Sequence, residues 1–209
     1  MSLPIHDLPL FVAAALLVNL TPGPDMLFVA GSSAAHGRRA GVMASLGIGA
    51  GCVLHMALAA IGLSAVLAAS AVAFEVVKWV GAAYLVWVGL GMLRQGRPAA
   101  ERPAPVPAQR VFWQGALTNA LNPKVALFFL AFLPQFIDPQ ASGQALAFLV
   151  LGALFNVGGT VVNIGVALLA SKLRDKVDSR AGGRVGPWIS KAAGALFVGL
   201  GIKLAFSAR

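Results

Sequence analysis

Asn19-Leu20-Thr21-Pro22-Gly23-Pro24-Asp25 returns, in altered form, as Asn119-Ala120-Leu121-Asn122-Pro123-Lys124. Both stretches sit inside long apolar runs, and each holds the deepest charge of its run. Proline lacks an N–H, and its ring clashes with the carbonyl four residues back. Pro22, Pro24 and Pro123 therefore deprive the carbonyls of Val18, Leu20 and Asn119 of their helical donors. Thr21-Pro22 and Asn122-Pro123 also have the form of an N-cap followed by a first-turn proline. The expectation is a helix that breaks and restarts at both places, with positive dipole ends aimed inward.

The surroundings of these stretches are those of a membrane protein. Of 209 residues, 58% are hydrophobic and 11% charged, against about 25% charged in soluble domains. Mean hydropathy is +0.82. Sixteen Lys and Arg with seven Asp and Glu cannot cover a soluble globule of this size, which disfavours a soluble enzyme, a nucleic-acid module and a disordered chain. The single cysteine, Cys52, excludes an intramolecular disulfide, a cysteine-based metal cluster and two-thiol redox chemistry. No cofactor is implied.

A membrane helix needs about 20 mostly apolar residues. Six candidates are present, at about Leu8–Ala35, Gly41–Leu67, Val72–Leu93, Val111–Gln135, Ala145–Ala170 and Trp188–Phe206. The last holds Lys191 and Lys203, and five spans with an interfacial final helix is the alternative. Residues 1–7 carry no Lys or Arg, and the apolar stretch after them outruns a signal-peptide core, so the first span reads as retained. The basic gaps are the odd ones: Arg38 and Arg39; Arg94, Arg97, Arg102 and Arg110 around a Pro-rich linker; Lys172, Arg174, Lys176, Arg180 and Arg184. The positive-inside rule then puts these gaps in the cytoplasm and both termini in the periplasm.

Val88-Gly89-Leu90-Gly91 recurs as Val198-Gly199-Leu200-Gly201, which adds to the paired Pro motifs. The fold expected is all-α in a single transmembrane domain, 1–209. Two three-span repeats, 1–93 and 111–209, flank a cytoplasmic linker, 94–110. An odd number of spans per repeat inverts the second half, a design found in many secondary transporters.

A charge at the centre of a membrane helix costs about 2.5–3.5 kcal/mol on insertion scales, so it faces a cavity or a partner. Asp25 and Lys124 are expected to approach each other near the pseudo-two-fold axis, either around a substrate or as a static ion pair. Asn156, Thr160 and Asn163 share one face of the fifth span, suited to a polar path or a hydrogen-bonded helix contact. His55 fits an interhelical hydrogen bond better than a proton relay, and Glu75 with Lys78 reads as a surface pair. Gly37, Gly41, Ser45 and Gly49 form a small-residue face that suits helix packing and also permits a homodimer. Trp79, Tyr84, Trp87, Trp113 and Trp188 mostly lie near span ends, as interface anchors do.

The motifs resemble those of the LysE/RhtB family of bacterial amino-acid exporters. That family's pattern of Pro-Gly-Pro, twelve residues, Gly, three residues and Gly is matched by Pro22-Gly23-Pro24, Gly37 and Gly41; its Asn-Pro-Lys is matched by Asn122-Pro123-Lys124. The resemblance implies a bacterial inner-membrane protein that exports amino acids or their derivatives, driven by the proton gradient and without catalysis. The substrate-binding candidates are Asn19, Thr21, Pro22, Gly23, Pro24, Asp25, Asn119, Asn122, Pro123, Lys124, Asn156 and Asn163, with Asp25 also carrying the proton. A thiol-redox conductor lacks its second cysteine, and an intramembrane aspartyl protease lacks its second Asp. A passive channel on the same fold stays open as the alternative.

Overall fold

The computed structural model describes residues 3–61, 106–138 and 140–181, with eleven isolated positions between 79 and 202. Six α-helices run through these residues: α1 (Leu8–Leu20), α2 (Pro24–His36), α3 (Arg38–Ala60), α4 (Ala108–Ala120), α5 (Pro123–Leu127) and α6 (Gln144–Ala181). The described residues contain no strand, only an isolated antiparallel bridge between Ile5 and Ile137. Apart from those eleven positions, the third and sixth predicted spans and the repeat of Val88–Gly91 lie outside the described residues, as do the Glu75–Lys78 pair and most of the Pro-rich linker.

Among the described residues, two helices are long and apolar enough to cross a membrane by themselves: α3 and the Gln144–Arg174 part of α6. The pair α1–α2 qualifies as one span bent by 49°, and α4 with Pro123–Phe136 as another bent by 46°. Helix α6 continues past the predicted end of the fifth span, so the gap there begins as helix and carries Lys172 and Arg174 on it. After α5 the chain widens into one π turn (Phe128–Phe132) and then tightens into a 3₁₀ turn (Leu133–Phe136) around Pro134.

Helix association in lipid relies on close packing and hydrogen bonds, because lipid tails are as apolar as the side chains. Glycine supplies the close approach here. A Cβ on Gly47 would lie 2.1 Å from the Phe112 carbonyl oxygen, and one on Gly51 2.2 Å from that of Ala116. Helices α3 and α4 thus touch backbone to backbone. The small-residue face also packs within the chain: a Cβ on Gly41 would meet Ser33 and Ala167, and one on Gly49 would meet Thr160. Ser33 donates to the Ala167 carbonyl at 2.6 Å, joining α2 to α6. The corner between α2 and α3 turns at Gly37, whose φ of 87° suits glycine.

Two apolar clusters fill the interior. One gathers Phe11, Phe128, Phe129, Leu133, Phe136, Leu151 and Phe155 from α1, the π and 3₁₀ turns and α6. The other joins Phe28, Val29, Ala44, Ile48, Val111 and Ala167 from α2, α3, α4 and α6. Trp79, Trp87 and Trp113 are exposed, as membrane-facing anchors are.

Candidate functional site

The first break is built as follows. Helix α1 stops at Leu20 because Pro22 and Pro24 cannot continue its hydrogen bonds. Thr21 closes α1: its N–H bonds to the Leu17 and Val18 carbonyls at 3.0 and 3.2 Å, and its hydroxyl donates to Leu17 at 2.7 Å. Thr21 therefore ends one helix and does not cap the next, contrary to the N-cap reading. Gly23 is the residue that precedes α2, and Pro24, not Pro22, takes the first turn. Thr21 and Pro22 are exposed, while Gly23, Pro24 and Asp25 are buried. An acid in the first turn of α2 suits the positive end of the helix dipole.

At the second break the cap forms as the sequence suggests. Asn122 is the N-cap of α5, its side-chain oxygen accepting the Lys124 N–H at 3.0 Å, and Pro123 follows it. Two of the three proline-freed carbonyls, those of Val18 and Asn119, receive a side-chain donor from elsewhere. The Lys124 ammonium donates to the Val18 carbonyl at 3.1 Å and to that of Thr21 at 2.9 Å. The His55 ring Nε2 donates to the Asn119 carbonyl at 3.0 Å, and the imidazole stacks on Phe129. The two breaks are cross-braced, the first by a residue of α5 and the second by a residue of α3.

Asp25 and Lys124 come to the same place but do not touch. The Asp25 carboxylate accepts from the Asn119 side-chain amide at 2.8 Å, whereas Lys124 is engaged by the two carbonyls. The expected alternative of a direct static ion pair is therefore not what forms. The Asn122 amide nitrogen also sits beside the Asp25 carboxylate, outside hydrogen-bonding geometry.

Asp25, Asn119 and Lys124 line one small cavity with Asn19, Asn156, Thr160 and Asn163. Its volume is about 30 Å³, the space of a water or two rather than of an amino acid. The polar face of α6 makes the hydrogen-bonded helix contact and also borders this cavity. Asn156 donates to the Gly49 carbonyl at 3.1 Å. Asn19 donates across to the Phe155 carbonyl at 3.1 Å, in a space cleared by Gly159. Met26, Ile48, Cys52, Val125, Phe155 and Gly159 complete the wall and were not singled out as site residues from sequence. Ile48 belongs to one apolar cluster, and Cys52, Val125 and Phe155 to the other, so the polar cavity lies at their seam. Among the described residues, no three His, Cys, Asp or Glu side chains gather to hold a metal.

The family model for LysE type translocators matches residues 16–208. The chain belongs to this family. Its LysE-type relatives are membrane and efflux proteins. An uncharacterized membrane protein of Pseudomonas aeruginosa is 35% identical, covering 98% of this chain and 97% of its own. A homoserine/homoserine lactone efflux protein of Salmonella typhimurium is 34% identical over 93% of this chain and 94% of its own. A leucine efflux protein of an Enterobacter species is 33% identical over 68% of each. No solved structure matches. The LysE family consists of translocators, so this chain is a membrane translocator, and its apolar helices fit that assignment.

Proposed function

We propose that this chain exports amino acids or amino-acid derivatives from the cytoplasm, across the bacterial inner membrane, by alternating access coupled to the proton gradient. One observation carries the reading. A buried carboxylate, a lysine ammonium and four asparagine amides converge on a cavity between two proline-broken helices. The names of the efflux relatives support the same direction and substrate class.

The chemistry follows from the groups present. An amino acid brings one cation and one anion. Asp25 takes the ammonium. The carboxylate goes to the start of α5, where the third N–H of the Lys124 ammonium, not taken by the Val18 and Thr21 carbonyls, is the donor. The cavity is smaller than any amino acid, so the substrate enters only when one half of the protein moves against the other. The units that rock are the inverted repeats, residues 1–93 and 111–209, joined by the cytoplasmic linker 94–110. Proton uptake at Asp25 returns the empty carrier. Both termini lie in the periplasm.

The test is export from proteoliposomes against a substrate gradient. Coupled export runs uphill and stops when the proton gradient is collapsed; downhill flux alone would identify a passive channel. Asp25→Asn is expected to abolish export while the protein still inserts. Wild-type export by that variant would remove Asp25 from the mechanism.

A further inference from the structure

We propose that Asn119 determines what the cavity accepts and when: its amide turns over with the charge on Asp25, so that a primary ammonium and a proton exclude one another there. The inference deepens the export reading and rests on it.

Asp25 Oδ1 and Asn119 Oδ1 are both buried, and neither has a hydrogen-bond partner. Both residues line the cavity. Asn122 Nδ2 beside Asp25 is likewise unpartnered, so one protein donor stands against two open acceptors; the acceptor left over is costly and calls for a donor from a ligand. A primary ammonium carries three N–H groups and the matching charge. Lys124 does not fill this role, because its ammonium is bound to the Val18 and Thr21 carbonyls.

The two asparagines beside Asp25 differ in one respect. Asn122 is locked, since its Oδ1 holds the Lys124 N–H and only its Nδ2 can face the carboxylate. Asn119 is not locked. Its backbone carbonyl is pinned by His55, but its side chain bonds only to Asp25. Turning that amide over exchanges a donor for an acceptor.

With Asp25 ionised, Asn119 donates its N–H and leaves Oδ1 open, so the cavity offers two oxygens to a cation. With a proton on Asp25 Oδ2, the new O–H needs an acceptor. Asn122 offers only N–H, so Asn119 turns over and accepts with Oδ1. Its Nδ2 then stands where the oxygen stood and repels an ammonium. The proton stays on Asp25, and the amino group leaves with all three of its hydrogens. The titratable groups around Asp25 are Lys124 from α5 and Cys52 and His55 from α3. Helix α1 contributes uncharged Asn19, and α6 contributes uncharged Asn156, Thr160 and Asn163.

The experiment uses proteoliposomes loaded with an equimolar mixture of the protein amino acids and homoserine, or with the corresponding 2-hydroxy acids. Released solutes are measured by mass spectrometry over a range of internal pH. The wild type is expected to release amino acids but not hydroxy acids, with KM rising as internal pH falls. Asn119→Leu is expected to raise KM at least about tenfold, the effect of losing a hydrogen bond to a charged group, and to flatten that pH dependence. Asn119→Asp places a second carboxylate beside Asp25 and is expected to move the pH dependence upward. A residue that merely held Asp25 in place would lower kcat and leave the pH profile of KM alone. Hydroxy acids released as fast as amino acids would overturn the inference. So would a wild-type KM and pH profile in Asn119→Leu. If that variant does not reach the membrane, an unmoved profile in Asn119→Asp overturns it equally. Wild-type release by Asp25→Asn, or no release by the wild type, would instead defeat the export reading beneath it.

Discussion

The ammonium of Lys124 lies 2.9 Å from the carbonyl oxygen of Thr21 and donates to it. The basic residue of the second break thus finishes the helix that ends at the first. A cation at a helix C-terminus gains from the dipole as well as from the hydrogen bonds, by about 0.3–1 kcal/mol at exposed positions and up to about 2 kcal/mol when partly buried. Lys124 and Thr21 belong to opposite halves of the sequence, so motion of one half against the other has to break or carry this contact.

Lys124→Met keeps the length and loses the charge. It leaves the Val18 carbonyl without its side-chain donor and Thr21 without the contact above. Thr21 is exposed and the half-buried Val18 carbonyl keeps its bond from the Thr21 N–H, so what is lost is hydrogen bonding to a charged group, about 1.5–3 kcal/mol per bond at most. The expected outcome is a lower Tm in detergent together with loss of export. A variant with the wild-type Tm would mean that water replaces the ammonium at no cost.

Gly23→Ala tests the same contact by crowding it. A Cβ at this position would sit 3.2 Å from Lys124 Nζ and 3.4 Å from its Cε. Both atoms belong to a flexible side chain that can give way, and the Gly23 φ of −162° is open to any residue. The protein is expected to fold with Tm nearly unchanged while export slows. Gly23→Val, which is bulkier, is expected to lower both. Equal export by wild type and Gly23→Ala would show that the Lys124 position has slack.

Gly51→Ala is the stability test. Its Cβ would lie 2.2 Å from the Ala116 carbonyl oxygen and 3.0 Å from the Asn119 Cβ. Neither can yield without moving α3 off α4, and overpacking of this kind costs about 1–3 kcal/mol. Gly165→Ala is the control, since nothing lies within 4 Å of its Cβ position. The first variant is expected to lose Tm or membrane yield and the second to keep both. The opposite order would contradict the packing of α3 on α4.

Orientation is checked by labelling with a membrane-impermeant maleimide. Cys52 is the only cysteine in the sequence and is buried, so a Cys52→Ala background is silent. Arg39 and Ser142 are both exposed. Arg39→Cys is expected to react only after cells are opened, and Ser142→Cys in intact spheroplasts. The reverse pattern would invert the topology.

The ends of α1 at Leu20 and α4 at Ala120 are legible because proline acts through covalent geometry. The fine structure of the breaks is less so. Thr21 has the chemistry of an N-cap, yet the second proline of Pro22-Gly23-Pro24 moves the restart to Pro24 and leaves Thr21 to close the helix before it. That Asp25 and Lys124 face a cavity is readable from the cost of burying charge. Their partners are not, because a lysine's reach to Val18 and Thr21 depends on how two helices cross. His55 reads from the sequence as an interhelical hydrogen-bonding group, but the carbonyl it serves is fixed only by packing. Gly159 carries a weak signal, since a glycine inside a span marks close approach, but that Asn19 is what approaches it is fixed by packing. The apolar wall residues carry none, for an Ile or Phe lining a cavity looks like one facing lipid.

The segment before α1 is tied to the end of the 3₁₀ turn. His6 N–H bonds to the Phe136 carbonyl at 3.1 Å, and Asp138 N–H to that of Pro4 at 3.0 Å. Residues 136–138 leave the ribosome long after residues 4–6 have been delivered to the bilayer, so these bonds cannot form until most of the chain has been threaded. The tie is a late stitch in biogenesis. A nascent chain arrested upstream of Phe136 would keep this amino-terminal stretch open to protease, and release of the arrest would seal it.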